Sequence, residues 1–420
     1  MDATYYRPKL RWPIDIQLQQ GVEANQQVLV VQCPLGVSPK PLVLVAAAAP
    51  VLSLFQGELS FEEILARCAP YGLQEQTLRE LIRLLDESLF LANARFFAAQ
   101  RELQDAFTSL AVRPPALAGL VYPESREQLS KFVENLLVSV PVEHHKHELH
   151  CLVAPHIDYR RGGVCYGQIY PHLAASNADL YILIGTSHQY SERMFHLSAK
   201  DFSSPLGVLP CDTDFVTTLA NRFGVRRAFA DEYLHKKEHS LELQLPFISA
   251  LRPGASIVPI LVGSFHAAVS SGRPLREFEE YEAFVGSLVE AICLAESQGR
   301  RVCFIAGVDM AHVGSFFGDE WELSPERMEA IAERDRRYLD VIASYSHENL
   351  FAHVAEDNDA RRICGFPTMH TILDTLRRLS RVGSCYVRSY EQAVDYPSGC
   401  AVTFAGLALG AHEKFIEPRR

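Results

Sequence analysis

The spacing of apolar residues along this chain changes character near residue 113. Before that point the pattern is local and mixed. The runs "VLVVQC" and "PLVLV" predict short strands, and "AAAPVLSLFQG" predicts a helical piece. "SFEEILARC" opens on Ser60 with Glu63 three residues later, the spacing at which the two residues cap each other's backbone N–H groups. In "LQEQTLRELIRLLDESLFL", Leu78, Leu81, Leu85 and Leu89 recur at helical spacing on one face. "ARFFAAQRELQDAF" predicts a connecting helix, and Arg113, Pro114 and Pro115 punctuate the chain after it. The pattern therefore divides the chain into a small module over residues 1–105, a linker over 106–112 and a larger domain over 113–420.

In the larger domain, apolar runs without alternation are separated by helical ones. "LHCLVAP" precedes a helix at "YGQIYPHLA", and "DLYILIG" precedes a loop and the helix "DTDFVTTLANRFG". "SIVPILVGSF" is followed by the long helix "LREFEEYEAFVGSLVEAICLAE". "RVCFIAGVDM" is followed by a helix from Ser324, where Pro325 suits the first helical position. Near-continuous apolar strands alternating with helices predict an α/β fold, a mostly parallel sheet flanked by helices on both faces. "SCYVRSYEQ" and "CAVTFAGLALG" add two more strands at the tail.

Composition narrows what such a chain can do. At 420 residues, 48% hydrophobic and 22% charged, it has ordinary globular usage and ample core. A formal charge of −11 argues against a general nucleic-acid or anionic-membrane binder, since both need a basic surface. The most apolar stretch, "LVLVAAAAPVLSLF", is shorter than the roughly 18 residues of a membrane helix and contains Pro50. "MDATYYRPKLRWPID" carries no apolar signal-peptide core. Ten scattered cysteines without a CxxC pair predict reduced, mostly buried thiols and a cytoplasmic protein. The small module's helices and strand pair are winged-helix-like in layout, an α+β arrangement. Its last helix carries Glu75, Glu80, Asp86 and Glu87 against Arg79 and Arg83, which favours protein or peptide contact over DNA.

Candidate chemistry gathers at strand ends. In open α/β sheets, ligands bind outside the carboxyl ends of the strands. "CLVAP" delivers His156 and Asp158, "YILIGTSH" delivers His188, and "VCFIAGVDMAH" delivers Asp309 and His312. "KKEHSLELQLPF" offers Glu238, His239 and Glu242, and "RRICGFPTMH" offers Cys364 at a helix start, where the thiolate is favoured. Gly162 and Gly163 would let backbone approach a ligand closely, and Arg160 and Arg161 could hold an anionic group. His235 and His239 have the spacing of a helical metal pair, without the HExxH glutamate and with lysines between them. His144, His145, His147 and His150 read as a loop coat.

The motifs "RPPALAGLVYP", "APHIDYRRGG", "ILIGTSH", "SPLGVLPCD", "EHSLELQLPF", "PILVG", "VDMAHVG" and "CGFPTMH" resemble, in this order, the Memo family, which includes component B of the AmmeMemoRadiSam bacterial systems. The match runs from about Arg113 to Gly410, and the small module is similar to PqqD-like peptide-binding modules. The resemblance implies a fold similar to class III non-haem iron extradiol dioxygenases, with a metal pocket at the strand ends. It implies two histidines and a cysteine as metal ligands, which fall on His156, His188 and Cys364, with His239, Glu242, Asp309 and His312 as the remaining, catalytic pocket residues. Gln189, Gln244 and Val308 depart from the family pattern in the outer polar shell and bear on substrate identity.

Two imidazoles and a thiolate suit iron (Fe2+), copper or zinc, whereas two imidazoles with Glu242 or Asp309 would make the non-haem iron facial pattern. His312 or His239 could serve as general base, with Asp309 orienting a ring. The implied activity is that of a metal-dependent, redox or oxygenase-like enzyme on a small anionic or phenolic molecule, working with a radical SAM protein. The alternative is a non-catalytic adaptor, metal-carrying or peptide-binding, in the same system.

Overall fold

Contacts between residues divide the chain after Ser109 into two units, Met1–Ser109 and Leu110–Arg420. The computed structural model describes residues 6–21, 27–137 and 148–410. In the first unit, β1 (Asp15–Gln20), β2 (Gln27–Gln32) and β3 (Leu42–Val45) pair antiparallel in that order. The longer helices that follow are α1 (Phe61–Cys68), α2 (Glu75–Glu87) and α3 (Ala94–Thr108). The apolar pattern predicted only a strand pair. β1, "DIQLQQ", is an edge strand exposed along most of its length, so no buried face imposes alternation on it. The Ser60–Glu63 capping box forms, with Glu63 N donating to Ser60 Oγ at 3.2 Å and Ser60 N donating to Glu63 Oε2 at 2.7 Å. Leu78, Leu81 and Leu85 enter the core as their spacing predicts. Leu89 does not, because α2 ends at Glu87, Leu89 turns left-handed at φ 62°, and Phe90 takes the buried place.

The second unit is α/β. In chain order, the strands of its main sheet are β4 (Leu149–Ala154), β5 (Leu180–Thr186), β6 (Phe195–Leu197), β7 (Ser256–Val262), β8 (Val302–Gly307), β9 (His312–Val313), β10 (Ser384–Asp395) and β11 (Cys400–Gly410). Neighbours run β9–β11–β4–β8–β5–β7–β6, with β10 also on β11. The centre, β4–β8–β5–β7, is parallel. β6 and β11 pair antiparallel on its two sides, and β9 and β10 pair antiparallel with β11.

The main helices are α4 (Arg126–Leu137), α5 (Tyr159–Ile169), α6 (Thr213–Phe223), α7 (Leu245–Leu251), α8 (Glu279–Ser297), α9 (Pro325–Ala343) and α10 (Phe366–Arg378). Ile182 and Ile184 of β5 share one core with α6, α8 and α10, while Tyr181 and Leu183 share the other with α4, α5 and α7. Apolar contact on both faces explains the lack of alternation in these strands. Among the described residues, no helix is long and apolar enough to cross a membrane.

Two local expectations change. His150 lies buried in β4 rather than coating a loop, while His144, His145 and His147 fall outside the described residues. α5 begins at Tyr159, earlier than "YGQIYPHLA" suggested, because the Asp158 side chain caps it by accepting from Arg160 N at 3.0 Å and Arg161 N at 3.2 Å. Gly162 and Gly163 are therefore helical and buried. A Cβ at Gly162 would lie 2.5 Å from Ile157 Cγ2, and one at Gly163 3.2 Å from Leu136, so the pair serves packing rather than ligand approach.

Candidate metal centre

The neighbouring strands β4, β8 and β5 end side by side, and each turns polar just beyond its last residue. His156 follows β4, Asp309 follows β8 and His188 follows β5. A fourth contributor, His239, sits on the one-turn helix His239–Glu242. That helix presses onto the sheet because the strands beneath it carry glycine. A Cβ at Gly307 would stand 2.0 Å from the Ser240 carbonyl oxygen, and one at Gly185 2.6 Å from Ser240 Oγ.

The result is a cluster of three imidazoles. One ligand nitrogen from each of His156, His188 and His239 lies within 4.8 Å of the others. His188 and His239 stack at 4.3 Å between centroids, and His156 meets both rings edge-on at 4.8 and 5.1 Å. Each Nδ1 faces a group that only accepts. His156 Nδ1 donates to Gly307 O at 3.0 Å, His188 Nδ1 to Glu238 Oε1 at 2.9 Å, and His239 Nδ1 lies 3.2 Å from the same oxygen. A proton on Nδ1 leaves the lone pair on Nε2, the tautomer a metal ligand needs. Cys364, just before α10, places Sγ 3.3 Å from His156 Nε2.

Electrostatics separate the roles. Burial opposes charge on Glu238, but the His188 hydrogen bonds and the neighbouring imidazoles hold its carboxyl well below the usual range. Burial likewise works against a proton on His188, and the Glu238 carboxylate outweighs it, raising that imidazole. Burial, with the His188 charge next in weight, lowers His239 to about 4 and His156 well below its ordinary value. Burial also lowers His312 to about 4, and its Nδ1 donates to Met310 O at 3.1 Å. Asp309 is pushed up to about 7 by burial, against the hydrogen bond from His156 N at 2.9 Å. Burial raises the Cys364 thiol well above its usual value, with Asp309 adding to the effect, so the helix start does not make it a thiolate. The neutral imidazoles of His156 and His239, beside a His188 and a Cys364 thiol that give up their protons on binding, fit a first-row transition-metal ion.

A family model described as Memo-like protein matches residues 113–408. The chain belongs to that family. A MEMO1 family protein of Aquifex aeolicus (strain VF5) is 28% identical over 383 residues, covering 90% of this chain and 95% of its own length. That coverage extends the match into Met1–Ser109. MEMO1 family proteins of Pyrococcus horikoshii and Methanosarcina mazei are 28% and 27% identical over 264 and 271 residues, 60% and 64% of this chain and 83% and 88% of their own lengths.

Within the Memo-like unit, not every candidate residue reaches the cluster. His156, His188, His239, Asp309 and His312 line one cavity of about 460 Å³, together with Arg161, Lys237 and Phe317. His188 and Cys364 also line a second cavity of about 250 Å³. Glu242 lines neither. Fully buried, it pairs with Arg113 and accepts from Leu117 N at 2.7 Å, Ala116 N at 3.0 Å and Tyr122 OH at 2.6 Å. Arg113, which the sequence offered only as punctuation, also donates to His235 O at 2.9 Å and Glu238 O at 3.1 Å. The Arg113–Glu242 pair thereby anchors the segment that carries Glu238 and His239.

Arg160 lines neither cavity, and Arg161 donates to Asp158 at 2.6 Å. His235 turns away from His239, with Nε2 donating to His196 O at 3.1 Å. Gln244 is buried beneath the centre, donating to Pro155 O at 2.9 Å and Ser240 O at 3.0 Å and accepting from Tyr170 OH at 2.7 Å. Glu238 stood in the "KKEHSLEL" run, but its spacing gave no sign that it, rather than Glu242, would orient the imidazoles.

Proposed function

We propose that the second unit is a metal-dependent enzyme whose centre is held by His156, His188 and Cys364, with His239 as a further imidazole donor. One observation carries this reading: imidazoles from separate elements converge, and the acceptors on their Nδ1 atoms leave the Nε2 atoms for a ligand. Iron or copper bound there would supply redox chemistry, and zinc would supply Lewis acidity. The implied likeness to extradiol dioxygenases supports an oxygenase-like reaction by analogy of fold alone.

The chain's own groups supply proton handling. His312, lowered to about 4, is neutral near pH 7 and lines the cavity with Nδ1 committed to Met310 O, so it is suited to accepting a hydrogen bond from a bound group rather than to removing its proton. Asp309, poised near 7, holds or yields a proton at Oδ2, 3.6 Å from His156 Nε2. The test is metal content after anaerobic purification, comparing the parent with His156→Ala, His188→Ala and Cys364→Ser at matched circular dichroism. Near-stoichiometric metal in the parent, lost in all three variants, is the expected result. Metal missing from the parent, or unchanged in the variants, overturns the reading.

A further inference from the structure

We infer that the larger cavity takes a small amphiphilic anion, an acid head group on an apolar or aromatic body, with Lys237 meeting the head and Phe316 and Phe317 walling the body. The inference rests on the reading that this cavity is the functional site, but it is independent of which metal the imidazoles hold.

The charge balance of the lining points to an anion. Arg161 is compensated, because its Nε lies 2.6 Å from Asp158 Oδ2. Glu238, adjacent to Lys237 in sequence, faces inward and accepts from His188 and from Ser240 N at 3.0 Å. Asp309 is buried and accepts from His156 N. Lys237 lines the same cavity, and its ammonium has no hydrogen bond or ion pair among the described residues. Among the described residues, Lys237 is thus the exposed charge lining this cavity that has no ion partner, while Asp309 is buried away from solvent.

The remaining wall is apolar. Leu117, Val121, Leu243, Phe316, Phe317 and Val402 contribute to it. Phe316 is 67% exposed, on the turn Ser315–Phe317 between two left-handed glycines, Gly314 at φ 107° and Gly318 at φ 88°. Leu120, next to Val121, is 81% exposed. Large apolar groups at the rim of a polar cavity gain free energy when a ligand's apolar part covers them. At about 460 Å³, the cavity matches the size of small-molecule sites. A head group alone would leave that wall bare, and a neutral body would leave Lys237 unmatched.

The probes are phenylacetate, its neutral counterpart phenylacetamide, and acetate. They are titrated calorimetrically into the full chain as purified and again after chelator treatment, with metal content measured on the same samples. Phenylacetate is expected to bind once per chain, at least tenfold tighter than either control. Lys237→Gln should weaken phenylacetate at least tenfold and leave phenylacetamide unchanged, while Phe316→Ala should weaken both. No phenylacetate binding, acetate binding as tightly, or an unchanged affinity in Lys237→Gln overturns the inference. Selective binding that persists in a chain lacking metal sustains the ligand class even if the metal reading fails. A metal-loaded chain that ignores phenylacetate does the reverse.

Discussion

Glu238 binds no ion in the proposed arrangement, yet two of the imidazoles take their orientation from one of its oxygens. Glu238→Gln should leave the fold intact and lower metal affinity about 10- to 100-fold, the usual cost of losing an orienting carboxylate, as measured by competition with a chelator. Arg113→Gln should cost about 3–5 kcal/mol in denaturant unfolding, because it leaves the buried Glu242 carboxylate without its ion pair. It should also weaken metal binding, since the Glu238 and His235 carbonyls lose their shared donor. The sequence showed Glu238 and Glu242 one helical turn apart, and the resemblance put Glu242, not Glu238, among the pocket residues. The helix is a single turn capped by Glu238 itself, so one carboxylate turns toward the imidazoles and the other toward Arg113. Arg113 lies far from its partners along the chain, and nothing in a local pattern announces such a contact.

Among elements, the strand ends were the most legible part, because an apolar run buried on both faces must stop where the sheet meets solvent. The segment after α6 was the least legible. His235 and His239 have the spacing of a continuous helix, but the chain forms a 3-10 turn over Glu232–Lys236, breaks, and restarts at His239. His235 is thereby buried against His196 of β6. Burial lowers His235 to about 3 and pushes His196 down as well, against Asp231 at 3.8 Å and with the nearby Arg193 charge assisting. Both His196 ring nitrogens and His235 Nδ1 are buried without a hydrogen-bond partner among the described residues.

Folded pKa values below the unfolded 6.5 mean that the unfolded chain binds more protons in acid. Stability should be full above pH 6.5 and fall as pH drops toward 4, by about 1.4 kcal/mol per pH unit for each imidazole. Chemical denaturation of chelator-treated protein across that range checks the slope, and His196→Gln should flatten it by one imidazole's share.

At the scale of the whole molecule, all the proposed ligands lie within Leu110–Arg420, and the archaeal relatives are matched over 83% and 88% of their lengths by 60% and 64% of this chain. Residues 110–420 expressed alone should therefore fold and carry the same metal equivalents per chain as the full protein, as elemental analysis would show. Family membership was legible because many short motifs kept their order. The first unit offered a layout without a sharp motif, since its core leucines report packing and little else. The last described strand has a different kind of consequence. Met310 N donates to Thr403 O at 2.8 Å, Thr403 N to Ala311 O at 2.9 Å and Ala311 N to Thr403 Oγ1 at 2.9 Å, while β9 pairs with Ala401 and Val402. The loop bearing Asp309 and His312 thus takes several of its backbone partners from β11, with Arg361 O accepting from His312 N and Gly365 N donating to Asp309 O. His156 and His188 are synthesised long before β11, so the loop carrying Asp309 and His312 is pinned beside them only once Cys400–Gly410 has been made and zipped onto β4.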